Sequence, residues 1–185
     1  MGTVGKVDRQ YRPHEIEEKV LKFWKEKGVY DKLRSMLKDK PKFYFLDGPP
    51  YPSSDVPHIG TAWNKVIKDL VIRFQRMRRR FVWDQPGYDT HGLPIEVAVE
   101  KRLGLRSKKE IVTKVGVEKF VKECMNLALT NANLMSKRFE RLGVSMDWNN
   151  PYYTLKPEYI ESGWWLIKKV HEQGLLKKGV KVVWW

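Results

Sequence analysis

Between residues 13 and 34, apolar positions recur every three or four residues: Ile16, Val20, Phe23, Trp24 and Leu33, with Lys and Glu between them. That period brings them to one side of a helix. Pro13 suits a first helical turn, where a missing N–H is no loss, and Gly28 marks a stop or break. The pattern then changes. Residues 42–46 hold the run Phe43-Tyr44-Phe45-Leu46, which has the length of a strand, and Gly48, Pro49, Pro50 and Pro52 end it abruptly. A loop leads to His58. The helical period returns over 59–78, with Val66, Ile67, Leu70, Val71 and Phe74 on one face. Phe81-Val82-Trp83 reads as a second strand, ended by Pro86-Gly87, and another helix is expected over 93–103. From Ser107 to Leu142 the chain reads as mostly helical. Residues 147–154 read as an aromatic loop, and 157–173 as a helix closed by Gly174. The apolar run from Val180 to Trp185 has strand character and stops without a polar tail, which suggests an artificial boundary.

Strand, Gly/Pro loop, helix and strand in that order make a βαβ unit, so the expected class is α/β with parallel strands. There is no internal repeat and no low-complexity tract, and residues 1–10 read as a mobile arm. At 185 residues the length fits about one domain, and 42% hydrophobic against 31% charged residues argues for a globular fold rather than disorder. The formal net charge of +14 favours an anionic partner such as nucleic acid, a nucleotide or an acidic membrane surface; a lysine-rich proteome would leave the same mark. The single cysteine, Cys124, can form no internal disulfide and no CxxC zinc pair. No apolar run approaches the ~20 residues of a membrane span, and the N-terminus lacks the apolar core of a signal peptide. The default setting is therefore cytoplasmic, with no membrane partner.

The chemistry concentrates in two loops. The first, Asp47-Gly48-Pro49-Pro50-Tyr51-Pro52-Ser53-Ser54-Asp55-Val56-Pro57-His58-Ile59-Gly60-Thr61, joins a strand end to a helix start. Open parallel sheets bind ligands at that edge, and a helix N-terminus offers free amide donors to phosphate. An imidazole at His58 can donate to a phosphate, and Gly60 lets a nucleotide approach the backbone. Taken singly, His58 also reads as a capping or packing histidine, and the prolines as a stiff connector. Neither GxxxxGK[ST] nor GxGxxG is present. The second loop, Pro86-Gly87-Tyr88-Asp89-Thr90-His91-Gly92-Leu93-Pro94-Ile95-Glu96, gathers Asp89, His91 and Glu96. A metal site is one reading of these three; a salt bridge or helix cap is the commoner one.

As whole strings, the two loops resemble the class I aminoacyl-tRNA synthetases. Pro57-His58-Ile59-Gly60-Thr61 is similar to the HIGH signature, with Thr61 at the position of the second histidine. Asp47-Gly48-Pro49-Pro50-Tyr51 resembles the DGPPY lead-in of the isoleucyl, leucyl and valyl subgroup, and the second loop resembles the isoleucyl form, GxDTHGLPIE. Further matching strings run through Val99 to Gly104, Met146 to Leu155, Tyr159 to Glu161 and Trp164-Trp165, so the likeness covers nearly the whole chain from Ile16. The approach at Gly174-Leu175-Leu176 and Val182-Val183 resembles the family's lead into a Cys cluster.

The resemblance implies a Rossmann-like (HUP-type) parallel-sheet half-domain with a helical extension. It divides the chain into an N-terminal arm and helix over 1–40 and a truncated catalytic half-domain over 41–185, cut before the editing insertion. It implies ATP contacts from Gly48, Pro50, Tyr51, His58 and Gly60, and catalysis by His58, Gly60 and Thr61. It implies isoleucine contacts from Pro49, Asp89 and His91, with Asp89 on the ammonium group. Glu96 joins His91 as a supporting candidate. The implied reaction is ATP- and Mg2+-assisted activation of isoleucine and its transfer to tRNA, with no metal held by the protein itself. One methylene separates isoleucine from valine, worth only about 1–3 kcal/mol, so the family adds an editing domain. This sequence departs from the family in three places. The Tyr51–Pro57 loop is one residue longer than usual, Thr61 supplies no imidazole, and Arg79 stands where a glycine commonly ends the helix. An Arg in that left-handed position costs about 1 kcal/mol. Arg78-Arg79-Arg80 reads as a solvated helix end or as a contact for tRNA phosphate. A non-catalytic basic RNA-binding module, or a bare excised fragment without function, would carry the same strings.

Overall fold

In the computed structural model, residues 10–182 are described. The arm expected over 1–10 therefore lies, apart from Gln10, outside the described residues. The single amphipathic stretch near the N-terminus forms two helices, α1 (Pro13–Glu26) and α2 (Val29–Leu37). They are separated at Gly28, whose φ of 56° lies in the left-handed region that glycine enters without strain. Neither helix buries a whole residue. They attach instead through rings and ions: the Arg73 guanidinium lies 5.3 Å from the Trp24 ring, Arg34 reaches Asp84 at 2.9 Å and Arg141 reaches Glu17 at 2.8 Å.

The βαβ unit is present. Strands β1 (Lys42–Tyr44) and β2 (Phe81–Trp83) pair in parallel, with α3 (Ile59–Met77) between them in sequence. The first strand is shorter than the 42–46 expected, because Trp83, the partner of Tyr44, is the last residue of β2. A second parallel pair joins β3 (Gly87–Tyr88) to β4 (Tyr152–Tyr153). The aromatic loop expected over 147–154 thus supplies a two-residue strand. Tyr152 N–H donates to the Pro86 carbonyl at 2.9 Å, and Thr154 N–H to that of Tyr88 at 3.2 Å.

Helix α4 (Leu93–Arg102) leads to a π-helical turn over Ile111–Val115, then to α5 (Val117–Arg141). The helical stretch expected from 107 is divided at Gly116, at φ 87°. Helix α6 (Pro157–Glu172) buries no residue. Residues 180–182 carry no strand, and the remainder of that expected strand lies outside the described residues.

The core joins Ile72 of α3, Val82 of β2 and Tyr88 of β3 to Ala132, Met135 and Phe139 of α5, with Val144 and Met146 closing it. Trp148 stacks on Phe139 with ring centres 5.6 Å apart. Helix α3 meets this core with the opposite side from the one its pattern suggests. Its buried residues are Lys65, Asp69, Ile72 and Arg76, while Val66, Ile67, Leu70 and Phe74 are exposed. The reason is charge pairing. Arg76 donates to Asp84 and to the Ser145 hydroxyl and carbonyl, and Asp69 accepts from the Ser145 N–H and hydroxyl at 2.7 and 2.6 Å. Buried charges are tolerated only when paired in this way.

Candidate functional site

The two loops meet where β1 and β2 end, and Asp47 joins them. Its carboxylate is fully buried and accepts from Lys65, from Lys68 at 2.8 Å and from the Gly87 N–H at 2.9 Å. Its carbonyl accepts the Tyr152 hydroxyl at 2.5 Å. One residue thus ties the end of β1 to α3, to the start of β3 and to β4. Burial pushes the Lys65 ammonium below its usual range, against the pull of Asp47. Its Nζ also lies 5.5 Å from the Phe139 ring centre and 5.9 Å from that of Trp148. Gly87 admits no side chain, since a Cβ there would stand 2.0 Å from the Tyr152 ring.

A second group of bonds holds Asp89. Its N–H donates to the Pro50 carbonyl at 3.0 Å, and its Oδ1 accepts from the Thr154 hydroxyl at 3.3 Å and the His91 N–H at 3.4 Å. The nearby Asp89 carboxylate raises the pKa of the Tyr51 phenol. Thr90 fixes the turn: its N–H donates to Thr154 Oγ1 at 2.9 Å, and its own hydroxyl accepts the Leu155 N–H at 2.9 Å. The half-buried carboxylate therefore carries the Thr154 hydroxyl and the His91 N–H on one of its oxygens. Pro49 and Pro50 on the first loop are half-buried, and His91 is exposed.

His58 is the N-cap of α3, and its Nδ1 accepts the Gly60 N–H at 3.0 Å. The capping and the chemical readings of this histidine therefore coincide. With Nδ1 accepting, a neutral imidazole carries its proton on Nε2, leaving a donor at an exposed helix start. Gly60 is exposed and Thr61 half-buried in the first turn; a Cβ on Gly60 would come within 3.2 Å of the imidazole. On the lead-in, the Gly48 carbonyl accepts from Lys68 at 3.1 Å.

Sequence reasoning missed the Asp47–Lys65–Lys68 group and the part of Tyr152 and Thr154. The available signal was the placement of Lys65, Asp69 and Arg76 on one side of α3, opposite its apolar positions. No group of three His, Cys, Asp or Glu positioned for a metal occurs among the described residues. Glu96 pairs with Lys108 at 3.0 Å, on the salt-bridge side of its two readings.

A helix start that can receive an anion and a held carboxylate, on the two loops that follow parallel strands, suit a nucleotide and a primary amine. The family model of the class I tRNA synthetases (I, L, M and V) matches residues 19–185. The chain belongs to this family. It is 56% identical over 177 residues to the isoleucine–tRNA ligase of Pyrococcus abyssi, covering 96% of this chain and 16% of that protein. It is 54% identical over 176 residues to that of Saccharolobus islandicus, covering 95% and 17%. Among solved structures it resembles a LeuRS of Agrobacterium radiobacter, in a ternary complex with tRNA and LeuAMS. The TM-score is 0.63 at 25% identity, over 90% of this chain and 18% of that one. The chain thus spans about a sixth of the length of the curated relatives it matches. No helix among the described residues is long and apolar enough to cross a membrane.

Proposed function

We propose that this chain carries the ATP and isoleucine half-site of an isoleucine–tRNA ligase, whose complete form activates isoleucine as an adenylate in the cytoplasm and passes it to tRNA. The observation that carries the reading is the holding of Asp89 by Pro50 and Thr154, where Pro50 lies on the same loop that ends at the helix start capped by His58. The relatives' names support isoleucine as the amino acid, and they do not favour the non-catalytic RNA-binding reading.

In this reading Asp89 receives the substrate ammonium, because a carboxylate already held by neighbours needs no reordering to bind a cation. Pro49 packs on the side chain, and His91 supports the same loop. His58 Nε2 and the first amides of α3, with Gly60 and Thr61, receive the ATP phosphates, and Gly48, Pro50 and Tyr51 line the approach. These groups can stabilise charge growing on the phosphate as the amino-acid carboxylate attacks. The protein residues do not fit magnesium. Asp47 is occupied by two lysines and an amide, and no group of three His, Cys, Asp or Glu among the described residues is placed to hold a metal, so a magnesium ion would arrive only as the companion of the ATP phosphates. The fold in this reading is Rossmann-like (HUP-type), with residues 1–40 an arm and helical support and 41–185 the half-domain.

The test is calorimetric binding of ATP and of isoleucine to the chain, beside isoleucine-dependent ATP–pyrophosphate exchange. Both ligands should bind. Asp89→Ala should abolish isoleucine binding alone, and His58→Ala should weaken ATP alone. Failure of both ligands to bind a chain folded by circular dichroism would sink the reading. Exchange that needs isoleucine would extend it from a binding half-site to chemistry.

A further inference from the structure

At the other end of the first sheet, the amino ends of β1 and β2, two basic segments lie side by side. Phe81 N–H donates to the Pro41 carbonyl at 3.0 Å, and Lys42 stands opposite Phe81 in the register. This brings Lys38, Lys40 and Lys42 next to Arg78, Arg79 and Arg80. Five of the six are exposed and Arg80 is half-buried. Asp39 is the one carboxylate within 38–42 and 78–82. Among the described residues, none of the six belongs to an ion pair, although fifteen such pairs form elsewhere. Arg78 and Arg80 rest 5.8 and 5.9 Å from the centres of the Phe74 and Phe43 rings, which spread their guanidinium groups along the surface.

Helices α2 and α3 both end here, and one or two cations would satisfy their carbonyl ends. Arg79 goes further. The end of α3 is a Schellman turn, with Arg80 N–H donating to Gln75 O at 3.1 Å and Arg79 N–H to Arg76 O at 2.9 Å. Arg79 occupies its left-handed position at φ 56° and is the single non-glycine residue with positive φ among the described residues. Glycine takes that conformation without strain, so a charged side chain stands where the backbone disfavours any side chain.

We infer that this edge is a docking surface for the phosphodiester backbone of RNA, read by charge and not by sequence. Arginine forks match phosphate oxygens in pairs, and the chain belongs to a family that acts on tRNA. The surface lies three strand residues, roughly 10 Å, from the loops of the proposed half-site, so it is separate from them. The inference goes beyond the adenylate reading, and its test contains neither ATP nor isoleucine.

Fluorescence anisotropy of a labelled RNA duplex of mixed sequence, titrated with the chain across a salt series, provides the test. Arg78→Gln with Arg80→Gln should weaken binding about tenfold and lower the slope of log affinity against log salt by about two. Lys101→Gln with Lys119→Gln removes the same charge elsewhere and should change binding less than about twofold. Arg79→Gly should lower the slope by about one while raising Tm, an opposition that a purely structural arginine would not produce. Equal losses from the patch and control variants would overturn the inference. So would an absence of RNA binding, or a preference of the same arginines for phosphatidylserine vesicles over the duplex.

Discussion

The Gly87 N–H donates to Asp47 Oδ2 at 2.9 Å, and the two residues lie forty positions apart in sequence. That bond closes the gap between the two loops of the half-site. Removing the charge while keeping the shape, as in Asp47→Asn, leaves the Lys65 ammonium buried without its counter-ion. We expect a loss of about 3–5 kcal/mol of stability by urea denaturation. Adding Lys65→Met should restore more than half of it. A double variant as unstable as the single would mean that the pair is not the source.

Gly87 and Tyr152 form a second dependency. Gly87→Ala would drive a methyl group into the Tyr152 ring and should cost about 1–3 kcal/mol. Tyr152→Phe cannot relieve the clash, because the ring remains; Tyr152→Ala can. A double-mutant cycle in which Gly87→Ala costs nothing on the Tyr152→Ala background is the expected result.

Tyr152 also sets a limit at high pH. Burial, with Asp47 and Tyr159 nearby, pushes its phenol from 10.0 up to about 12. A folded-state pKa raised above the unfolded value gives stability that is full below the unfolded pKa and lost as pH climbs through the folded one. Stability should therefore fall between about pH 10 and pH 12, and Tyr152→Phe should flatten part of that fall. Tyr88, also raised by burial, will leave a residue of the effect in that variant. Thermal melts followed across this range decide the matter; identical profiles for the two proteins would refute it.

The open apolar side of α3 predicts association of the chain with itself. Trp63, Ile67, Leu70 and Phe74 are each more than half exposed. Contiguous apolar surface of this kind marks contact sites. Sedimentation should show mass rising with concentration, together with enhancement of a hydrophobic dye. Leu70→Glu with Phe74→Glu should abolish both and leave the melting temperature nearly unchanged, because both side chains are mostly exposed. A monomer at all concentrations in the parent chain would disprove the prediction.

The βαβ unit was legible because period and punctuation are local: Phe43 to Leu46 stops at Gly48-Pro49-Pro50, and His58 precedes an unbroken helical period. The loop strings around His58 and Asp89 were legible for the same reason. What escaped was set by partners far away. Tyr152-Tyr153 is too short to announce a strand, and it becomes one only against Gly87-Tyr88. Thr154 reaches Asp89 across sixty-five positions. The buried side of α3 was not legible, because amphipathic reasoning turns apolar residues inward. Here Asp47, Asp84 and Ser145 draw Lys65, Arg76 and Asp69 to the inside.

That inversion of α3 has a thermodynamic consequence. A helix that already shows water its apolar face has little such surface left to reveal on melting. Hydration of newly exposed apolar area is what makes the heat capacity of unfolding large and denaturant dependence steep. This chain should therefore unfold with a smaller heat-capacity increment and a shallower urea slope than its length would suggest. Its stability curve should be broad and flat, with the paired charges under α3 keeping their hold as temperature rises.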